Sequence, residues 1–122
     1  MLIEDYCSYE VSKLLNEKGL NGMCDTVIGR DGTKYDIKLY DYVEEETTSC
    51  PTHQMAMKWL REERDIIIVI EPNSYNHMEE KTSSYDFSIW YGDNYEHPLT
   101  TNYSTYEEAV KAAIKYVLEN SI

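Results

Sequence analysis

A stretch bounded by two prolines, residues 51–72 (PTHQMAMKWLREERDIIIVIEP), constrains the fold of this chain more than any other. Its first part carries Met55, Trp59 and Leu60 near helical spacing, with Ala56 and Met57 beside them and Lys58 and Glu62 as an outward i,i+4 pair. Pro51 suits a first helical turn, where its missing N–H costs nothing, or Thr52 itself suits the cap. The helix must stop near Arg64 or Asp65, because residues 66–70 are apolar and β-branched without a break and Pro72 closes the run. An uninterrupted apolar run predicts a strand covered on both faces, hence the central strand of a sheet.

The flanking sequence supplies further elements. Tyr6, Val11, Leu14 and Leu15 predict a helix over residues 4–18, with Gly19 as its C-cap. Two β-favouring runs, residues 25–29 and 33–42, enclose Arg30-Asp31-Gly32, a good hairpin turn. In the second run Tyr35, Ile37 and Leu39 alternate with polar neighbours and are expected to face inward. Residues 41–50 (DYVEEETTSC) read as an exposed connection, and residues 73–84 as a polar loop. Tyr85, Phe87, Ile89 and Tyr91 alternate with Asp86, Ser88 and Trp90 as a strand does; Gly92-Asp93-Asn94 turns the chain, and residues 95–99 return as a short edge strand limited by Pro98. A capping box at Ser104 and Glu107 starts a last helix, running to about Glu119, with Tyr106, Ala109, Val110, Ala113, Ile114 and Val117 on one face.

The predicted order is α-β-β-α-β-β-(β)-α. It implies an α+β fold with three helices and a mainly antiparallel sheet of about four to five strands, because the strands are too closely spaced for parallel crossovers. Residues 1–122 suit a single domain. Ser8-Tyr9-Glu10-Val11 echoes Thr52-His53-Gln54-Met55 only faintly, short of a repeat.

Composition narrows the function classes. A net charge of −12, from 23 acidic and 11 basic side chains, opposes direct binding to nucleic-acid phosphates or anionic membranes. It serves solubility, or an acidic face that imitates nucleic acid towards a basic partner. Twelve tyrosines against one phenylalanine suit a thin core with a half-exposed sheet, or a binding face. Cys7, Cys24 and Cys50 show no CxxC spacing, so neither a zinc site nor a disulfide framework is indicated. The start MLIEDYCSYE lacks the basic and apolar regions of a signal peptide, and no apolar run approaches a membrane span, which makes the cytoplasm the expected compartment.

Catalytic raw material is sparse. Cys50 and His53 at the start of the central helix form the best nucleophile and base pair, since a helix N-terminus lowers a thiol pKa, but no third orienting group accompanies them. His77 with Glu79 and Glu80 offers metal-ligand types in a predicted loop, without a second half elsewhere. Glu44, Glu45 and Glu46 lack the alternating ligands and glycine turn of a calcium loop, so no metal or cofactor is expected. Gly19-Leu20-Asn21-Gly22 and Gly29-Arg30-Asp31-Gly32 are not phosphate loops, and a helix starting Ser104-Thr105-Tyr106-Glu107-Glu108 lacks the basic cluster that double-stranded RNA binding needs.

PTHQMAMKWLREERDIIIVI (51–70) and TYEEAVKAAIKYVLENSI (105–122), together with SYEVSKLLNEKG near the start, resemble a group of small uncharacterised proteins of gut anaerobes of the Bacteroides type and of their phages and mobile elements. The resemblance spans most of the chain. It implies an accessory protein of phage or mobile-element type and transfers no activity, cofactor or catalytic residue. The leading expectation is a non-enzymatic module that docks a protein partner through acidic and tyrosine-rich surface, with Asp41, Glu44, Glu45, Glu46, Tyr75, Trp90 and Tyr95 as candidate contacts. The alternative is a small enzyme or metal-binding protein using Cys50, His53 or the His77 region. Homodimerisation through a sheet edge or an apolar helix face is compatible with either.

Overall fold

The computed structural model describes residues 5–20, 24–37, 46–72, 84–98 and 103–122. Along these residues run α1 (Tyr9–Glu17), β1 (Thr26–Gly29), β2 (Lys34–Asp36), β3 (Thr47–Ser49), α2 (His53–Arg64), β4 (Ile66–Pro72), β5 (Tyr85–Tyr91), β6 (Asn94–Glu96) and α3 (Tyr106–Asn120). The class is α+β with antiparallel pairing, but the strands form two three-stranded sheets, β2-β1-β3 and β4-β5-β6, in place of one sheet of about four to five.

Each helix starts on a hydroxyl cap. Ser8 Oγ accepts from the Val11 amide, Thr52 Oγ1 from the Met55 amide and Thr105 Oγ1 from the Glu108 amide. The third cap sits one residue beyond the predicted Ser104, because Ser-Thr-Tyr-Glu-Glu contains two overlapping capping boxes; Ser104 instead donates its hydroxyl to Glu108 Oε2. At the far end of α1 the Leu20 amide reaches Leu15 O and the Gly19 amide reaches Asn16 O, a paired closure that needs the left-handed φ of 119° at Gly19. Arg64, near the end of α2, donates to Lys18 O and lies over the Trp59 ring, which ties the two helix ends together.

The first sheet contains an unexpected strand. β3 pairs with β1 through Val27↔Ser49, Ile28↔Thr48 and Gly29↔Thr47, where an exposed connection was expected. Thr47 and Thr48 are β-branched and suit a ladder as well as a turn. The hairpin turns as predicted: the Gly32 amide donates to Gly29 O, the Gly29 amide to Thr33 O, and Gly32 takes a φ of 88°. Ile37, expected inward, is exposed, because β2 ends at Asp36.

In the second sheet, among the described residues, β5 is central and β4 lies at an edge, where residues 66–70 were predicted to be the central strand. Ile66, Ile68 and Ile70 pair with Tyr91, Ile89 and Phe87 and pack towards the helices; Ile67 points the other way and is exposed. The element at the centre of the molecule is α3. It packs on α1, α2, β4 and β5, and buries Val110, Ala113, Ile114, Val117 and Leu118 in one core shared with Leu15, Leu60, Ile66, Phe87 and Ile89. Met55 and Tyr106, assigned to inward faces, are exposed. The faint echo between Ser8 and Thr52 is a shared cap and not a repeat, since the strand orders after the two helices differ. Among the described residues no helix is long and apolar enough to cross a membrane.

Candidate functional site

The outer face of the second sheet is the most distinctive surface. Strand alternation sends the odd-numbered residues of β5 to the core and places Trp90, Ser88 and Asp86 on the opposite face, beside Ile67, Val69 and Glu71 of β4; on that face Ile67 and Trp90 are exposed, whereas Ser88 is fully buried and Asp86 and Val69 are half-buried. The register Ile67↔Trp90 and Trp90↔Tyr95 sets these three side chains in one row across all three strands. They are 44%, 40% and 51% exposed, an amount that for three large neighbours makes a contiguous apolar strip. The Trp90 and Tyr95 rings lie 4.9 Å apart, and His97 stacks parallel on Tyr95 at 6.5 Å. A two-residue turn, Gly92-Asp93, holds the strip's far strand in place, with Gly92 at φ 60°.

Beyond the strip the face turns polar and acidic. Ser88 donates its hydroxyl to Glu71 Oε1 at 3.3 Å, and Glu71 stands directly across from Asp86. β4, β5 and β6 contain no lysine or arginine. Two of the candidate contacts, Trp90 and Tyr95, are therefore brought into one site. Ile67 was assigned to the core and belongs to the same row; its register opposite Trp90, whose position in the alternation is outward, is the signal that places it there.

Other candidates fall elsewhere. Asp41, Glu44, Glu45, Tyr75, His77, Glu79 and Glu80 lie outside the described residues. Glu46 is exposed and makes a 2.7 Å ion pair with Arg30 of the β1–β2 turn, away from the aromatic strip. Cys50 faces the interior. Its amide continues the β3–β1 ladder to Thr26 O and its thiol donates to Cys7 O at 3.3 Å, so it belongs to the strand end and not to the α2 first turn. Burial pushes the Cys50 thiol up, opposite to the lowering a helix N-terminus would give, and pushes Cys7 up to about 12 with help from Cys50 and Cys24.

His53 lines a surface groove of about 180 Å³ with Asp5, Thr52, Tyr106 and Glu107, a lining that does not include Cys50. An adjoining groove of about 240 Å³ adds Tyr6, Ser8, Glu108 and Lys111. The starts of all three helices meet here, and the chain's own Asp5, Glu107 and Glu108 supply the negative charge that helix N-termini favour. Burial lowers the His53 pKa and Lys111 adds to the shift, while Asp5 and Glu107 oppose it. Among the described residues no three His, Cys, Asp or Glu side chains are placed to hold a metal ion. Comparison with protein-family models, with curated proteins and with solved structures returned no match to this chain.

Proposed function

We propose that the protein is a non-enzymatic interaction module whose docking surface is the outer face of the β4-β5-β6 sheet. The observation that carries this reading is the exposed row Ile67, Trp90 and Tyr95, built by strand register from one residue of each strand. Aromatic side chains at the centre of such a patch supply contact area at small entropic cost and dominate interface energetics. A catalytic reading through Cys50 has less support, because its thiol is buried and held protonated. The resemblance to phage and mobile-element proteins suggests an accessory role, with the partner a protein of the host cell.

The test uses the intact chain, immobilised as wild type and as the Trp90→Ala/Tyr95→Ala double variant, with lysate of a Bacteroides-type anaerobe at low and moderate salt. Both side chains are exposed, so the double variant keeps the fold, which circular dichroism checks. Proteins retained saturably by wild type and lost by the variant support the reading. Identical retention by both, or none by either, counts against it.

A further inference from the structure

The second sheet has two unlike edges. β6 is three residues long and is followed by Pro98, which removes a backbone donor, so this edge is poorly suited to pairing. β4 is seven residues long, regularly paired with β5 from Ile66↔Tyr91 to Pro72↔Tyr85, and carries neither a lysine nor a proline before Pro72. Among the described residues no strand pairs with its outer edge, and its edge-blunting residues, Glu71 and Pro72, are confined to its last two positions. Its outward residues Ile67 and Val69 continue the aromatic strip to that edge, and Glu71 ends it with a carboxylate.

The sign of the charge selects the occupant. A second copy of this chain brings another −12, and antiparallel self-pairing centred on Ile68 sets Asp65 opposite Glu71, a like-charge pair. A basic segment reverses both terms. We propose that the edge of β4 accepts, by strand addition, an extended partner segment with lysine or arginine at alternate positions. Its backbone pairs with residues 66–71. Its outward side chains lie about 4.8 Å from Ile67, Val69 and Glu71, the spacing of neighbouring strands, so that a cationic head meets Glu71 while an aliphatic stem covers Ile67 within reach of the Trp90 ring. This assignment rests on the reading of the same face as a docking surface, and names the chemistry of what docks.

The probes are three synthetic peptides of about eight residues, the length of chain that spans β4 at strand rise. One alternates valine and lysine, one alternates valine and glutamate, and one is the lysine peptide with its central valine replaced by proline. Binding is read from tryptophan fluorescence and from slowed amide exchange in β4. The expected result is that the lysine peptide binds at least about tenfold more tightly than the glutamate peptide, weakens with salt, and loses binding on proline substitution. Ile67→Lys and Glu71→Lys, both at exposed positions, each reduce lysine-peptide binding about tenfold while circular dichroism is unchanged. Equal binding of lysine and glutamate peptides, full binding of the proline peptide, or a dimer in light scattering that Ile67→Lys dissolves would overturn the proposal. Failure of every peptide while Trp90-dependent partner capture persists overturns strand addition alone; failure of both removes the docking face as well.

Discussion

Asp65 joins α2 to β4 with no loop between them, and it can do so because its φ of 55° and ψ of 39° reverse the chain in one left-handed residue. That conformation costs an L-residue roughly 1–2 kcal/mol and costs glycine almost nothing. Asp65→Gly is expected to hold or raise stability by up to about 1 kcal/mol, whereas Asp65→Val, with a branched side chain, lowers it by about 1–2 kcal/mol; urea unfolding measures both. His53 makes a pH prediction. Its folded pKa is lowered from the ordinary 6.5, chiefly by burial, so the folded state binds its proton less readily than the unfolded chain. The neutral imidazole therefore contributes stability that is fully present above 6.5 and is lost as pH falls from there through the lowered folded value. Melting temperature is expected to drop as pH falls below 6.5, less steeply in His53→Gln, since that variant removes the titrating group. The three thiols make a third. Cys7, Cys24 and Cys50 are buried with raised pKa values, so an aromatic disulfide reagent at neutral pH is expected to titrate them only after denaturation.

At the scale of elements the burden of the core lies on α3 and not on the β4 run. Ile114 is fully buried within α3, while Ile67 in β4 is half-exposed. Ile114→Ala is expected to destabilise by about 2–5 kcal/mol and Ile67→Ala by less than about 1 kcal/mol, in the same denaturant titration. Had residues 66–70 formed a central strand, the two costs would be alike. α2, α3, the Asp31-Gly32 hairpin turn, the alternating β5 and the short edge β6 were legible in the sequence, because each is written in local chemistry: hydroxyl caps, glycine turns and apolar periodicity. The first helix was legible only from Tyr9 onward: Ser8 caps it, and Tyr6, placed on its apolar face, is exposed outside it in a bridge to Thr52. What was not legible is long-range. A run such as Ile66 to Ile70 looks the same whether its second face is covered by protein or left open, and only its pairing with β5 shows that Ile67 stands beside Trp90. β3 was hidden for a related reason, since Thr47, Thr48 and Ser49 are equally good turn formers until β1 is placed beside them.

For the molecule as a whole, a charge of −12 and a pI near 4.5 oppose self-association at neutral pH, and light scattering is expected to give 14.3 kDa, the mass of one chain. A species of twice that mass at neutral pH that Ile67→Lys returns to 14.3 kDa would show that the edge and strip are already covered by a second copy. Half of the site was visible in the sequence, as Trp90 and Tyr95, because large aromatics at alternating positions stand out. The other half, Ile67 and the edge of β4, emerges only from register. The central claim is that this open face, and not the groove at His53, meets a partner. Residue-resolved amide hydrogen exchange of the chain, alone and saturated with a partner retained in the capture experiment, tests it most directly. Slowed exchange confined to β4, β5 and β6, with Asp5, His53 and the first turn of α3 unchanged, is the predicted result. Slowed exchange around Asp5, His53 and Glu107 with the second sheet unchanged would contradict it.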